Sequence, residues 1–335
     1  MGPAGDARVA IVGATGAVGT QLTELIAARG FPHSELKLFA GESSADRNLE
    51  ISGEELLIEP LKNPEELDDF DIVFLAVPAI DAAKIVAKCP RPVIVDLSAA
   101  SRPHPRAVGR AEHKILIVAP GLTSSEEIER LRGRKIFAPP HPAAHALAAC
   151  LKALDLKEEF VSATAMLGAS TAGRDMVSDT VQQSADLLNA RLDLDENEIQ
   201  RGFNLFVGED EREAAFLIGL QAAILLNRLN PPISIPVQAV AVPVLHGSAL
   251  TVQIQRAGGV GDAKDHLRAA PGLLLADDDR PLAVIDAAGQ EAIIVSVESR
   301  PSSLALWCVF DNARLAALDA LWIAETLVSA GTMAS

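Results

Sequence analysis

Cysteine is scarce in this 335-residue chain. There are three, at positions 89, 150 and 308, with no C-x-x-C and no cysteine–histidine spacing that suits zinc. The seven histidines form no ligand pattern either; His141 and His145 share a helix face but lack a third partner, so no metal is expected. Long apolar runs are missing. The stretch Ile72-Val73-Phe74-Leu75-Ala76-Val77-Pro78 is far too short to cross a bilayer. The start, Met1-Gly2-Pro3-Ala4-Gly5-Asp6, has neither the basic nor the apolar region of a signal peptide, which predicts a cytoplasmic protein with no membrane partner. Positive charge is in deficit: 29 Lys and Arg against 45 Asp and Glu give −16. Such a surface repels polyanions, and Arg132, Arg134 and Lys135 make only a turn-sized cluster, so no nucleic acid is expected. No internal repeat or low-complexity linker interrupts the chain.

What is present begins at Val9-Ala10-Ile11-Val12-Gly13-Ala14-Thr15-Gly16-Ala17-Val18-Gly19. An apolar run ends in three glycines spaced by two residues, and Thr20-Gln21-Leu22 continues as a helical pattern. A strand, a tight turn and a helix N-terminus let the backbone approach a phosphate while free N–H groups point at it. Gly13, Thr15, Gly16, Ala17 and Val18 are therefore the candidate dinucleotide-pyrophosphate contacts. The spacing is G-x-x-G-x-x-G rather than G-x-G-x-x-G, and a ligand-free tight turn is the competing reading.

Further strands are expected at Arg8–Val12, Glu35–Phe39, Ile72–Ala76, Pro92–Asp96 and Lys114–Ala119. Helices are expected at Gly19–Arg29, Ala79–Lys88 and Ser124–Leu131. This alternation predicts a Rossmann-type, doubly wound parallel sheet. From Ala148 the pattern changes to longer alternating strands (Val161–Leu167, Pro236–Pro243, Ala249–Ile254, Ile293–Ser299) with helices at Arg174–Leu192 and Asp210–Asn230. These predict a second, mixed α/β domain with a largely antiparallel sheet. Ala313–Ala330 reads as a buried helix. The expected domains are 1–138 plus 311–335, and 139–310.

Several segments together resemble the aspartate-semialdehyde dehydrogenase family over nearly the whole chain. Gly13–Gly19 is similar to its first turn; Asp96, Ser98, Ala100 and Arg102 to its D-N-S-S-A-F-R segment. Gly202-Phe203-Asn204, Val242-Pro243-Val244, and Asp311-Asn312 with Arg314 fit further segments. The resemblance implies NADP as cofactor, a homodimer built on the second domain, and a last helix packed on the first. It also implies chemistry by a cysteine thiolate, which attacks an aldehyde and leaves a thioester for phosphate.

The residues depart from that chemistry. The family's P-N-C-S-T-x-Q stretch matches Pro140-His141-Pro142-Ala143-Ala144-His145-Ala146, so Pro142 stands at the nucleophile. The histidine after V-P-V matches Ser248, the arginine before it Ala241, and a helical lysine Ala215, although Glu213 fits. Cys150 lies eight residues past Pro142, about 12 Å along a helix, and cannot substitute. Cys89 and Cys308 read as core or loop residues. No catalytic residue is therefore expected. Ser43, Ser44 and Arg47, against Glu42, resemble the family's 2′-phosphate loop, which keeps NADP as the expectation with NAD open. Arg102 is the candidate for a small anionic ligand.

The closest resemblance is to the usg-type branch. It implies a cofactor-binding protein without cysteine-dependent activity. Two alternatives stay open: direct hydride transfer to a carbonyl assisted by Ser248, His246 or His141, and a protein-binding or regulatory paralogue.

Overall fold

The structure, a computed structural model, describes residues 7–41, 47–51, 54–98, 116–124, 127, 133–156, 160–196, 198–226, 235–255, 263–277 and 279–329. The chain divides into two compact units, Met1–Pro140 with Ala316–Ser335, and His141–Leu315.

The first unit contains β1 (Arg8–Val12), α1 (Ala17–Arg29), β2 (Glu35–Ala40), β3 (Arg47–Ile51), β4 (Glu54–Pro60), β5 (Ile72–Leu75), α2 (Ala79–Val86), β6 (Val93–Asp96), β7 (Leu116–Ile117) and β8 (Ile136–Ala138). They form one eight-stranded sheet in the order β3-β4-β2-β1-β5-β6-β8-β7. Every pairing is parallel except β3 with β4 at the edge. Strand β1 is buried on both sides. Val9 and Ile11 join a core with Leu22, Leu25 and Ile26 of α1, whereas Ala10 and Val12 join one with Ala82 and Ile85 of α2. Two cores on two faces make the sheet doubly wound, as the strand–helix alternation predicts.

The second unit contains α3 (Pro142–Ala153), β9 (Phe160–Leu167), α4 (Arg174–Leu188), α5 (Glu209–Leu225), β10 (Val237–Ala241), β11 (Ser248–Gln255), α6 (Ala263–Ala269), β12 (Leu273–Leu275), β13 (Ile293–Arg300), β14 (Ser303–Phe310) and the start of α7 (Asn312–Ser329). Six strands run in the order β10-β9-β11-β14-β13-β12. The central three pairings are antiparallel, and the two outer ones, β10 with β9 and β12 with β13, are parallel. The strict alternation of burial along β9, with Val161, Ala163, Ala165 and Leu167 inward, marks one covered face. Further along α7, Ala317, Ala320, Leu321, Ala324 and Leu327 belong to the first unit's core.

Several boundaries differ from the sequence expectations. Helix α1 opens at Ala17, because Gly16 in extended conformation is its N-cap. The helix expected to reach Leu192 stops at Leu188: Ala190 turns left-handed at φ 52° and its N–H bonds back to the carbonyl of Leu187. The helix expected to reach Asn230 ends at Leu225, and the strand expected to reach Ala119 ends at Ile117, its expected first residues Lys114 and Ile115 lying outside the described residues. The β3–β4 hairpin adds two edge strands that the sequence expectations do not include. The expected helix Ser124–Leu131 lies mostly outside the described residues. Among the described residues no helix is long and apolar enough to cross a membrane.

Candidate functional site

In the first unit the candidate site is the turn between β1 and α1. Its three glycines do different work. Gly13 sits at φ 90°, and a Cβ there would fall 2.3 Å from the carbonyl oxygen of Ala76. A Cβ on Gly19 would fall 2.1 Å from the carbonyl oxygen of Gly13, so this glycine lets α1 pack on the turn. Gly16 has more room, 3.3 Å from the same oxygen, and its φ of −71° suits any residue. The N–H groups of Gly13 and Ala14 both donate to the Phe39 carbonyl, at 2.8 and 3.0 Å, and that of Gly16 to the Gly13 carbonyl at 3.0 Å. The first helical bond runs from Thr20 to Gly16. This leaves the N–H groups of Ala17, Val18 and Gly19 without an acceptor inside the helix, at its positive end. Thr15, half-buried beside them, makes no hydrogen bond among the described residues. The donor set fits an anionic pyrophosphate. Ser43, Ser44, Glu42 and Arg102 lie outside the described residues; Arg47 opens β3.

In the second unit the decisive stretch is the start of α3. His141 is the N-cap and Pro142 the first helical residue, a position where proline's fixed φ and missing N–H cost nothing. The Nδ1 of His141 accepts the N–H of Ala143 at 3.1 Å. Its carbonyl accepts those of Ala144 and His145 at 2.8 and 3.0 Å. Its own N–H donates to the Oε1 of Gln221 at 2.6 Å. Every amide that a thiolate or oxyanion would use there is already engaged, and Pro142 is buried.

Ser248 opens β11 and is 2% exposed. Its Oγ accepts the Gly168 N–H at 3.3 Å and lies 3.3 Å from the Thr171 hydroxyl. Nearby on the same short turn, the Ser170 hydroxyl donates to the Oδ1 of Asn312 at 3.0 Å. The result is a buried group of hydroxyls and amides. His246, two residues before Ser248, is exposed.

The thiols are buried. The Cys89 Sγ donates to the Pro64 carbonyl at 2.7 Å. Burial, with Asp68 and Glu65 near, pushes its pKa up to about 11. The sulfurs of Cys150 and Cys308 lie 3.6 Å apart, and this contact and burial raise the Cys308 pKa well above its ordinary value. Among the described residues no group of three or more His, Cys, Asp or Glu could hold a metal.

Residues 8–130 match the NAD-binding domain of semialdehyde dehydrogenases, and residues 147–315 match their dimerisation domain. The chain belongs to the semialdehyde dehydrogenase family. A USG-1 protein homolog of Pseudomonas aeruginosa is 31% identical, over 96% of this chain and 97% of its own. An aspartate-semialdehyde dehydrogenase of Synechocystis is 31% identical, over 97% and 98%. Among solved structures, aspartate semialdehyde dehydrogenase II of Vibrio cholerae, complexed with ASA, superimposes with a TM-score of 0.81 at 26% identity, covering 97% of this chain and 98% of that one.

Within this family member, sequence reasoning singled out Pro142 and Ser248 but missed what surrounds them. Thr171 and Ser170 come from a turn between β9 and α4 that carries no motif. Gln221 had one signal: it is the lone polar residue in the apolar run Leu217-Ile218-Gly219-Leu220-Gln221-Ala222-Ala223.

Proposed function

We propose that this member of the family binds a nicotinamide dinucleotide but does not carry out phosphate-dependent oxidation of aspartate semialdehyde. The observation that carries the reading is Pro142 at the first turn of α3, capped by His141. A covalent mechanism needs a thiolate, and thiolates are stabilised by free amides at helix N-termini. Here the amides are engaged, the residue has no nucleophilic atom, and the three thiols are buried elsewhere. Ser248, where the family resemblance puts a histidine, has no nitrogen to take a proton.

The cofactor half rests on the free donors of the glycine turn. Thr15, Ala17 and Val18 would hold the pyrophosphate, with Gly13 and Gly16 keeping the approach open. A bound nicotinamide supplies a hydride donor or acceptor. Ser43 and Ser44 with Arg47 favour NADP modestly over NAD, and Arg102 is the proposed anion contact. The dinucleotide site belongs to 1–138 with 311–335, and a two-fold homodimer to 139–310, in a cytoplasmic protein. A second reading, carbonyl reduction without a thioester, draws on the Ser248–Thr171 hydroxyl pair as the proton source.

Titration with NADPH and NADH, followed by Trp fluorescence, tests the first half. A steady-state assay with aspartate semialdehyde, phosphate and NADP tests the second. Absence of dinucleotide binding overturns the first, phosphate-dependent NADP reduction overturns the second, and NADPH oxidation with an aldehyde in the absence of phosphate supports the second reading.

A further inference from the structure

Thirteen large apolar side chains stand exposed among the described residues, and seven of them lie between Val181 and Phe216. Exposed apolar side chains are therefore concentrated in this segment of the chain, where a contact surface is to be sought. Its most unusual member is Phe203, 63% exposed and held at φ 52°. A bulky side chain rarely adopts that conformation, and persists there only when its surroundings over-determine it.

The surroundings do so. Buried Gln183 of α4 accepts the N–H groups of Arg201 and Gly202 through Oε1, at 2.6 and 3.4 Å. The Asn204 amide donates to the Gln200 carbonyl at 3.0 Å, and the Gln200 amide to the Gly202 carbonyl at 2.9 Å. A Cβ on Gly202 would lie 2.8 Å from the Ser184 nitrogen, so the turn sits directly on α4. Phe206 then exchanges both backbone bonds with Ala241, fastening the segment to the edge strand β10. An exposed aromatic ring gains nothing for folding from this fixation. A rigid, projecting ring is a pre-organised binding anchor.

A recess lies on the same surface. Between α5 and β10 is a hollow of about 490 Å³ walled by Ala215, Phe216, Ile235 and Val237. Val207, four residues after Phe203, both lines this hollow and is itself exposed.

We infer that Phe203 enters the α5–β10 hollow of a second copy of this chain. A two-fold interface presents one patch to itself, so it needs projection and recess on the same surface. The whole patch falls within the stretch that matches the dimerisation domain. The inference rests on the homodimer reading above and names the contact that makes it.

Sedimentation of the full chain across a concentration series tests it. The unmodified protein sediments as a dimer at micromolar concentration. Phe203→Gly and Ala215→Trp, which remove the ring and fill the recess, each weaken the dimer by roughly 30-fold or more. Glycine adopts φ 52° without strain, so Phe203→Gly keeps its fold by circular dichroism and melts no lower than the unmodified chain under dilution to monomer. An unmodified monomer, alone or assembling only with a different protein, overturns the homodimer and the anchor together. A dimer as tight in both variants as in the unmodified protein overturns the anchor alone.

Discussion

The backbone N–H of His141 donates to the side-chain Oε1 of Gln221 at 2.6 Å, across eighty residues of sequence. Because that N–H can only donate, it fixes which way the Gln221 amide faces. The other end, Nε2, is left buried with no partner among the described residues. The bond joins α5 to the N-cap of α3, so the start of α3 is set by tertiary contact as well as by its own capping.

Removing that acceptor orphans a buried N–H. Gln221→Ala is expected to lower unfolding stability by about 1–3 kcal/mol, read by urea denaturation. Gln221→Glu keeps an acceptor for His141 but buries a charge, so its loss grows as pH rises above the carboxylate range. Equal stability of Gln221→Ala and the unmodified chain would mean the bond contributes nothing net.

On the proposed reading, a thiol placed at position 142 is not expected by itself to give phosphate-dependent dehydrogenase activity. In Pro142→Cys the Ala143 N–H is still held by His141, and Ser248 still cannot accept a proton. Positioned acid–base groups supply ~10²–10⁴-fold, and that factor stays missing. NADP reduction with aspartate semialdehyde and phosphate should remain at background in Pro142→Cys. Robust turnover in that single variant would place a base other than Ser248 near α3.

The three glycines of the β1–α1 turn separate folding from binding. Gly19→Ala forces a Cβ into the Gly13 carbonyl and should destabilise the first unit by ~1–3 kcal/mol, as overpacking does. Gly16→Leu puts its Cβ 3.3 Å from the Gly13 carbonyl oxygen, a tight contact that a shift of a few tenths of an ångström relieves, so it should cost the fold less than Gly19→Ala while weakening NADPH binding at least roughly tenfold, about 1.4 kcal/mol. Melting curves and fluorescence titration on the two variants check this. Similar losses of stability in both would mean Gly16 serves the fold alone.

The Cys89 thiol gives a pH signature. Its folded pKa is raised from 9.0 to about 11 by burial first, then by Asp68 and Glu65. Below pH 9 both states keep the proton and the thiol adds no pH dependence. Between about 9 and 11 the unfolded chain loses the proton while the folded one keeps it, so stability falls as pH rises. Cys89→Ala should flatten that fall in urea denaturation measured at pH 8.5 and 10.5. Native protein should also resist thiol labelling at pH 8 and expose all three cysteines only on unfolding.

Local chemistry wrote a large part of this molecule into its sequence. Apolar runs of four or five residues ending in Gly13 or Pro78, with 3.6-residue periodicity between them, gave β1, β5 and β6 and their crossover helices. Period-two alternation gave β9 and β11. That Pro142 and Ser248 carry neither a thiol nor an imidazole was legible, because atom type is something no folding can supply. Legibility failed where long-range partners decided the outcome. The β3–β4 hairpin is short and carries no motif of its own; it joins the sheet where β2 offers β4 an edge. Gln221 looks like a stray polar residue in an apolar helix until His141 arrives from another segment. Cys150 and Cys308, 158 residues apart, meet only because α3 packs on the sheet that carries β14. Residue type and periodicity act within a few residues and so can be read directly. Hydrogen bonds and packing between distant segments exist only once the chain has closed its loops, and these decided which groups at the α3 N-terminus remain available.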